Sequence, residues 1–99
     1  MYRVVLLVKE IKGNCPVYRV GDKIVLNGYY IDSKKSSNIC MHAFSATLTF
    51  LSAFAHGSSA VDLGIGEEDD VGYLKCPDPG PPYTKGGTVL FELRRELKE

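Results

Sequence analysis

Alternating apolar and polar side chains organise both ends of the chain, and a helical period organises its middle. From Tyr2 to Glu10, Val4, Leu6 and Val8 interleave with Arg3, Val5, Leu7 and Lys9. One face is wholly apolar and the other mixed, the pattern of a central β-strand. Gly13-Asn14-Cys15-Pro16 ends the strand, because proline removes a ladder donor and glycine loosens the backbone. Val17 to Val20 leads into a Gly21-Asp22 turn and then into Lys23 to Leu26. Asn27-Gly28 before Tyr29-Tyr30-Ile31 signals a hairpin through a type I′ turn, which wants positive φ at both central residues. Near the other end, Val71 to Cys76 predicts a short strand, closed by the rigid turn Pro77-Asp78-Pro79-Gly80-Pro81-Pro82. After Gly86-Gly87, Val89, Phe91 and Leu93 alternate with Thr88, Leu90, Glu92 and Arg94 as a half-buried strand. Leu97 to Glu99 are expected to fray.

Between these patterns, from Ser36 to Val61, there is no Asp, Glu, Lys or Arg, although 24% of the chain is charged. Winding Ile39 to His56 at about 100° per residue puts Cys40, Phe44, Thr47, Leu48, Leu51 and Ala55 on one side. His42, Ser45, Thr49, Ser52 and His56 form a mild polar stripe opposite. Ser36, Ser37 and Asn38 offer an N-cap oxygen, and Gly57 a left-handed closing residue. A membrane span needs about 20 mostly apolar residues; this run is shorter and carries hydroxyls and two histidines, so no membrane partner is expected. The order of elements predicts a single α+β domain over residues 1–99. Its core is an antiparallel sheet of about five strands packed on one central helix near residues 39–56, a partly closed barrel with a helical plug being the alternative.

Composition narrows the partners. Twelve basic residues balance twelve acidic ones, so no overall field favours nucleic acid or an anionic membrane. Only Lys34-Lys35 and Arg94-Arg95 adjoin, as on an ordinary solvated surface. Glu67-Glu68-Asp69-Asp70 lacks the alternating ligand spacing of a calcium loop and predicts a solvated, mobile segment. Three cysteines with no export signal point to a reducing cytoplasm. The uncharged helix stripe His42, Ser45, Thr49, Ser52 and His56 is the candidate contact surface of a homo-oligomer, most simply a dimer, because interface cores are depleted in charge.

If successive elements reverse direction, Cys15 after the first strand, Cys40 at the helix start and Cys76 after the fourth strand fall at one end of the molecule. With His42 they form a candidate Cys₃His set for zinc or another thiophilic metal. Their wide spacing argues against it, as does the helical wheel, which places His42 about 200° from Cys40. Thiol chemistry at Cys40 or Cys76 is a second reading, and three small buried hydrophobes a third. No acid-base pair identifies a catalyst. His56 reads as a partner for the helix C-terminus, Asp78 as the cap of its own turn, and Tyr18, Tyr29, Tyr30 and Tyr83 as core or rim packing.

Gly13-Asn14-Cys15 with Val20-Gly21-Asp22, Ile39-Cys40-Met41-His42-Ala43, and Cys76-Pro77-Asp78-Pro79-Gly80 leading to Val89-Leu90-Phe91 resemble a family of small, uncharacterised archaeal and bacterial proteins of about this length. The resemblance implies one compact domain whose cysteine-bearing segments matter together, and no established activity. Met41 stands where many relatives would have proline, which leaves the helix start open.

Overall fold

A computed structural model describes residues 1–97. Of the end expected to fray, Leu97 pairs with Tyr2, and Lys98 and Glu99 lie outside the described residues. Six elements follow in order: β1 (Tyr2–Gly13), β2 (Lys23–Asn27), β3 (Tyr30–Ile31), α1 (Met41–Ala55), β4 (Val71–Lys75) and β5 (Gly87–Leu97). They form an α+β fold. The sheet is five-stranded in the order β3-β2-β1-β5-β4, and every neighbouring pair is antiparallel. It stays open, so the barrel alternative does not hold.

Val4, Leu6 and Val8 from β1 and Val89, Phe91 and Leu93 from β5 fill the buried face, against Ala43, Leu51, Phe54 and Ala55 of α1. A bulge between Val8 and Glu10 slips the β1–β5 register by one residue. It returns Ile11, opposite Val89, to the core side after an interval of three. On the other face Glu92 is 5% exposed, held by Arg94 Nε at 2.7 Å and Lys9 Nζ at 2.9 Å. These bonds, Arg94's first, keep its carboxyl below the usual carboxylate range.

The hairpin forms where expected, but one residue later. Asn27 pairs with Tyr30, so the central residues are Gly28 and Tyr29. Gly28 has φ +72° and no residue other than glycine has positive φ among the described residues, which matches a type II′ turn rather than type I′. The short β3 leaves β2 needing partners. The Val25 N–H donates to Ser36 Oγ at 2.9 Å, and the Ser37 N–H to the Lys23 carbonyl at 2.8 Å. Ser36 and Ser37 therefore finish a sheet edge and do not cap the helix. At the opposite edge, the Tyr73 N–H donates to the Ile65 carbonyl at 2.7 Å. Covered edges resist pairing with another chain.

The helix is shorter than its uncharged run. Cys40 is its N-cap residue, with extended backbone (φ −71°, ψ 121°) and no side-chain capping bond. The buried stripe is Ala43, Thr47, Leu51, Phe54 and Ala55, rotated from the expected one, and Leu48 is 47% exposed. At the far end the Gly57 N–H reaches the Phe54 carbonyl and the Ser58 N–H the Ala53 carbonyl, a Schellman closure. Among the described residues no helix is long and apolar enough to cross a membrane.

Arg95 is not the solvated residue its neighbour suggests. It continues the inward phase of Val89, Phe91 and Leu93, and its side chain is 4% exposed. The guanidinium lies between the rings of Tyr2 at 4.3 Å and Phe54 at 4.4 Å. Nη1 donates to the carbonyls of Phe54 (2.7 Å) and Ser58 (2.6 Å), and Nε to Asp70 Oδ1 (2.8 Å). The acidic run is likewise less free than expected: its residues are exposed, yet Asp70 holds Arg95 and Asp69 accepts the Ser59 hydroxyl at 2.6 Å.

Replacing Arg95 by Met removes the hydrogen bonds to the Phe54 and Ser58 carbonyls and the stacked cation, a loss of about 2–4 kcal/mol. The urea midpoint is expected to fall at unchanged m-value. Arg95→Lys should recover only part of the loss, since an ammonium cannot reproduce the planar fork between two rings.

Candidate functional site

Three segments meet at the end of the molecule remote from Arg95. The first is the turn that ends β1. Cys15 Sγ accepts the N–H groups of Val17 (3.4 Å) and Tyr18 (3.3 Å), doing for this turn what an Asp or Ser oxygen often does. Tyr18 is thereby turned inward, 4% exposed, with its ring edge-on to Phe91 at 5.6 Å. Its hydroxyl oxygen accepts the Cys40 N–H at 2.8 Å, fixing the helix start to this turn. Burial pushes the Tyr18 phenol up, so it stays neutral.

The second segment follows β4. The Cys76 N–H donates to the Val89 carbonyl at 3.0 Å, and the Val89 N–H returns a bond to Cys76 Sγ at 3.1 Å. The same sulfur lies 3.7 Å from the Gly87 carbonyl oxygen, an acceptor for its proton. Gly87 is required here, because a Cβ on it would sit 2.9 Å from backbone atoms of Asn14 and Cys15. That close passage is what packs the Cys15 turn beside β5 and Cys76.

The third segment is the helix start. Cys40, His42 and Ala43 join Cys15, Tyr18, Cys76 and Val89 around one cleft of about 370 Å³, whose walls are almost wholly apolar. The wheel had set His42 and Cys40 on different sides. It fails because Cys40 is extended, outside the helical phase, so both residues line the cleft. The four candidate residues thus share a cavity. Among the described residues, however, no group of three or more His, Cys, Asp or Glu is placed to hold a metal ion.

Asp78 reaches the same cleft but is already engaged. Its Oδ1 accepts the Thr84 hydroxyl and the Gly80 N–H at 2.9 Å, and these bonds, Thr84's first, hold its carboxyl below the usual range. Cys40 differs from the other thiols: among the described residues its sulfur makes no hydrogen bond.

The candidate contact stripe divides. His42 lines the cleft, while Ser45 and Thr49 are exposed and line neither cavity. Ser52 and His56 line a second groove of about 340 Å³ between α1 and the β2–β3 hairpin, together with Tyr29, Phe44 and Leu48. His56 is engaged with the helix end: Nδ1–H donates to the Ser52 carbonyl at 2.9 Å, and its ring lies 5.5 Å from that of Tyr29. Tyr18, expected as core or rim packing, is buried as such but also walls the cleft, and Ala43 was not among the candidate site residues. The Cys15-Pro16 turn was the available signal for Tyr18, and nothing in the periodicity distinguished Ala43 from ordinary core.

The Asp78 bonds give a pH dependence of definite sign. A carboxyl whose folded pKa lies below its unfolded value, about 3.9, stabilises the fold above that value and ceases to do so as pH falls through the depressed one. In urea titrations, wild type should exceed Asp78→Ala by a constant margin near neutrality, and the margin should close in acid.

No family model matches the chain, and no curated protein or solved structure is significantly similar to it.

Proposed function

We propose that the protein binds a small, uncharged organic molecule in the cleft formed by Cys15, Cys40, Cys76 and His42. The observation that carries this reading is the convergence of three distant segments on one largely apolar cavity, where Asp78, the one carboxylate among the described lining residues, turns Oδ1 to its own turn. At about 370 Å³ the cavity is of the size that small-molecule sites have. Its walls give no counter-charge to an anion, the Asp78 carboxylate has Oδ1 turned to Thr84 and Gly80, and desolvating a charge against so apolar a surface is unfavourable. The donor arrangement favours an organic occupant over zinc. Three free thiols fit a reducing compartment, so the proposed location is the cytoplasm. Membership of the prokaryotic family belongs to the same proposal, since the cysteine-bearing segments of the resemblance all contribute to the cleft wall.

Nile red, an uncharged apolar dye, is expected to gain fluorescence with native protein and lose it on unfolding. Val17 lines the cleft at 38% exposure. Val17→Trp fills the space without touching the core and should weaken the dye by about tenfold or more. Equal binding by wild type and Val17→Trp, or none by either, overturns the reading.

A second reading, homo-oligomerisation through α1, rests on a separate observation. Met41 (75%) and Leu48 (47%), about 20° apart around α1, are exposed within the uncharged run, while β2 and β4 find hydrogen-bond partners beyond the strand ladders. A dimer joined there buries apolar surface that a lone chain leaves wet. Sedimentation should give a mass that rises with concentration, and Leu48→Lys should shift it to the single chain. A concentration-independent monomer rejects this reading.

A further inference from the structure

We propose that Cys40 is a nucleophile toward α,β-unsaturated carbonyl compounds, and that the cleft is the recognition site for their apolar portion. This rests on the cleft reading above and adds a covalent step to it.

The three thiols sharing the cavity are not equivalent. Cys15 Sγ receives two backbone N–H groups and Cys76 Sγ one, and both sulfurs help build the turns that carry them. Attack by either sulfur disturbs bonds that form the cavity wall. Cys40 Sγ has no such engagement, is half-buried, and borders the cavity from a backbone already fixed by Tyr18. A reaction at that sulfur leaves the surrounding hydrogen bonds in place. Held beside an apolar pocket, it gains from proximity to any ligand that the pocket retains.

The partner chemistry follows from the walls. Sulfur is a soft nucleophile, and the cavity offers an almost wholly apolar surface. A small disulfide with charged ends would leave those charges without partners. An enone needs no charged group. In the addition a bond forms between Cys40 Sγ and the β-carbon, and the C=C π pair moves to the α-carbon. The α-carbon then takes a proton equivalent to the one the thiol gives up, by way of His42 on the same cavity wall or of solvent. The product is a thioether with no net oxidation or reduction.

The test uses the whole, reduced protein with cyclohexenone as probe. Intact mass should rise by one probe, and peptide mapping should place it on Cys40. The rate there should exceed those at Cys15 and Cys76, and that of Cys40 in urea-unfolded chain, by about tenfold. Val17→Trp should slow it. Cys40→Ser should abolish the single addition, and serine is a favoured N-cap residue, so folding is preserved. Even labelling of the three thiols, no advantage over the unfolded chain, or labelling unaffected by Val17→Trp overturns the proposal. If those results come with intact Nile red binding, the cleft reading stands and the covalent step alone falls. Loss of dye binding in wild type removes both.

Discussion

A buried guanidinium determines how the helix lies on the sheet. Arg95 joins the last turn of α1, the end of β5, the start of β1 and the Asp70 loop through two carbonyls, one carboxylate and two ring faces. Its charge sits at the negative end of the helix dipole, where a cation is favoured, and it adds a second hydrogen bond to the Phe54 carbonyl, which also accepts the Gly57 N–H. The exposed Asp70 contributes modestly by comparison, because solvent screens it. From the last residue of the helix to its first is about 21 Å, at 1.5 Å per residue. That first turn reaches the opposite pole, where the Tyr18 hydroxyl receives the Cys40 N–H. The cleft exists because the helix is held at both ends.

The β1–β5 ladder supplies the other half of the geometry. It pairs residues from near the two ends of the chain along almost the whole length of both strands, Tyr2 with Leu97 through to Gly13 with Gly87. The last of these pairs brings the Cys15 turn against the start of β5. Two residues further along β5, Val89 exchanges hydrogen bonds with Cys76. The bulge at Val8 and Glu10 keeps apolar side chains facing inward up to this point. Without the slip, strict alternation would turn Ile11 away from the core.

Much of this order is legible in the sequence, for a definite reason. Strand alternation in β1 and β5 reports which side chains face the core, and the reversal of successive elements places Cys15, Cys40 and Cys76 toward one end. What period and composition cannot report is how individual polar groups are spent. Ser36 and Ser37 look like helix caps, yet β2 needs their hydrogen bonds more, because β3 is only two residues long. Asn27-Gly28 gives the hairpin, but which residues occupy its centre depends on pairing with Tyr30. A helical wheel misplaces His42 relative to Cys40 because it winds a residue whose backbone is extended. Arg95 reads as surface from its neighbour Arg94, although its phase in β5 pointed inward. In that case the period was informative and residue type misled.

The proposed cleft and the proposed contact face are not independent, because they meet at the first turn of α1. His42 lines the cavity, and Met41 beside it is the most exposed of the helix's large apolar residues. A second copy seated along α1 as far as Met41 would border the cavity mouth, so occupancy and association would share a free energy. Such coupling is reciprocal: a ligand that favours association is held more tightly by the associated form. If the contact instead centres on Leu48 and the hairpin groove, the cavity mouth stays clear and the coupling vanishes. The extent of α1 that an interface covers, more than its affinity, therefore decides whether a ligand in the cleft is sensed by the assembly.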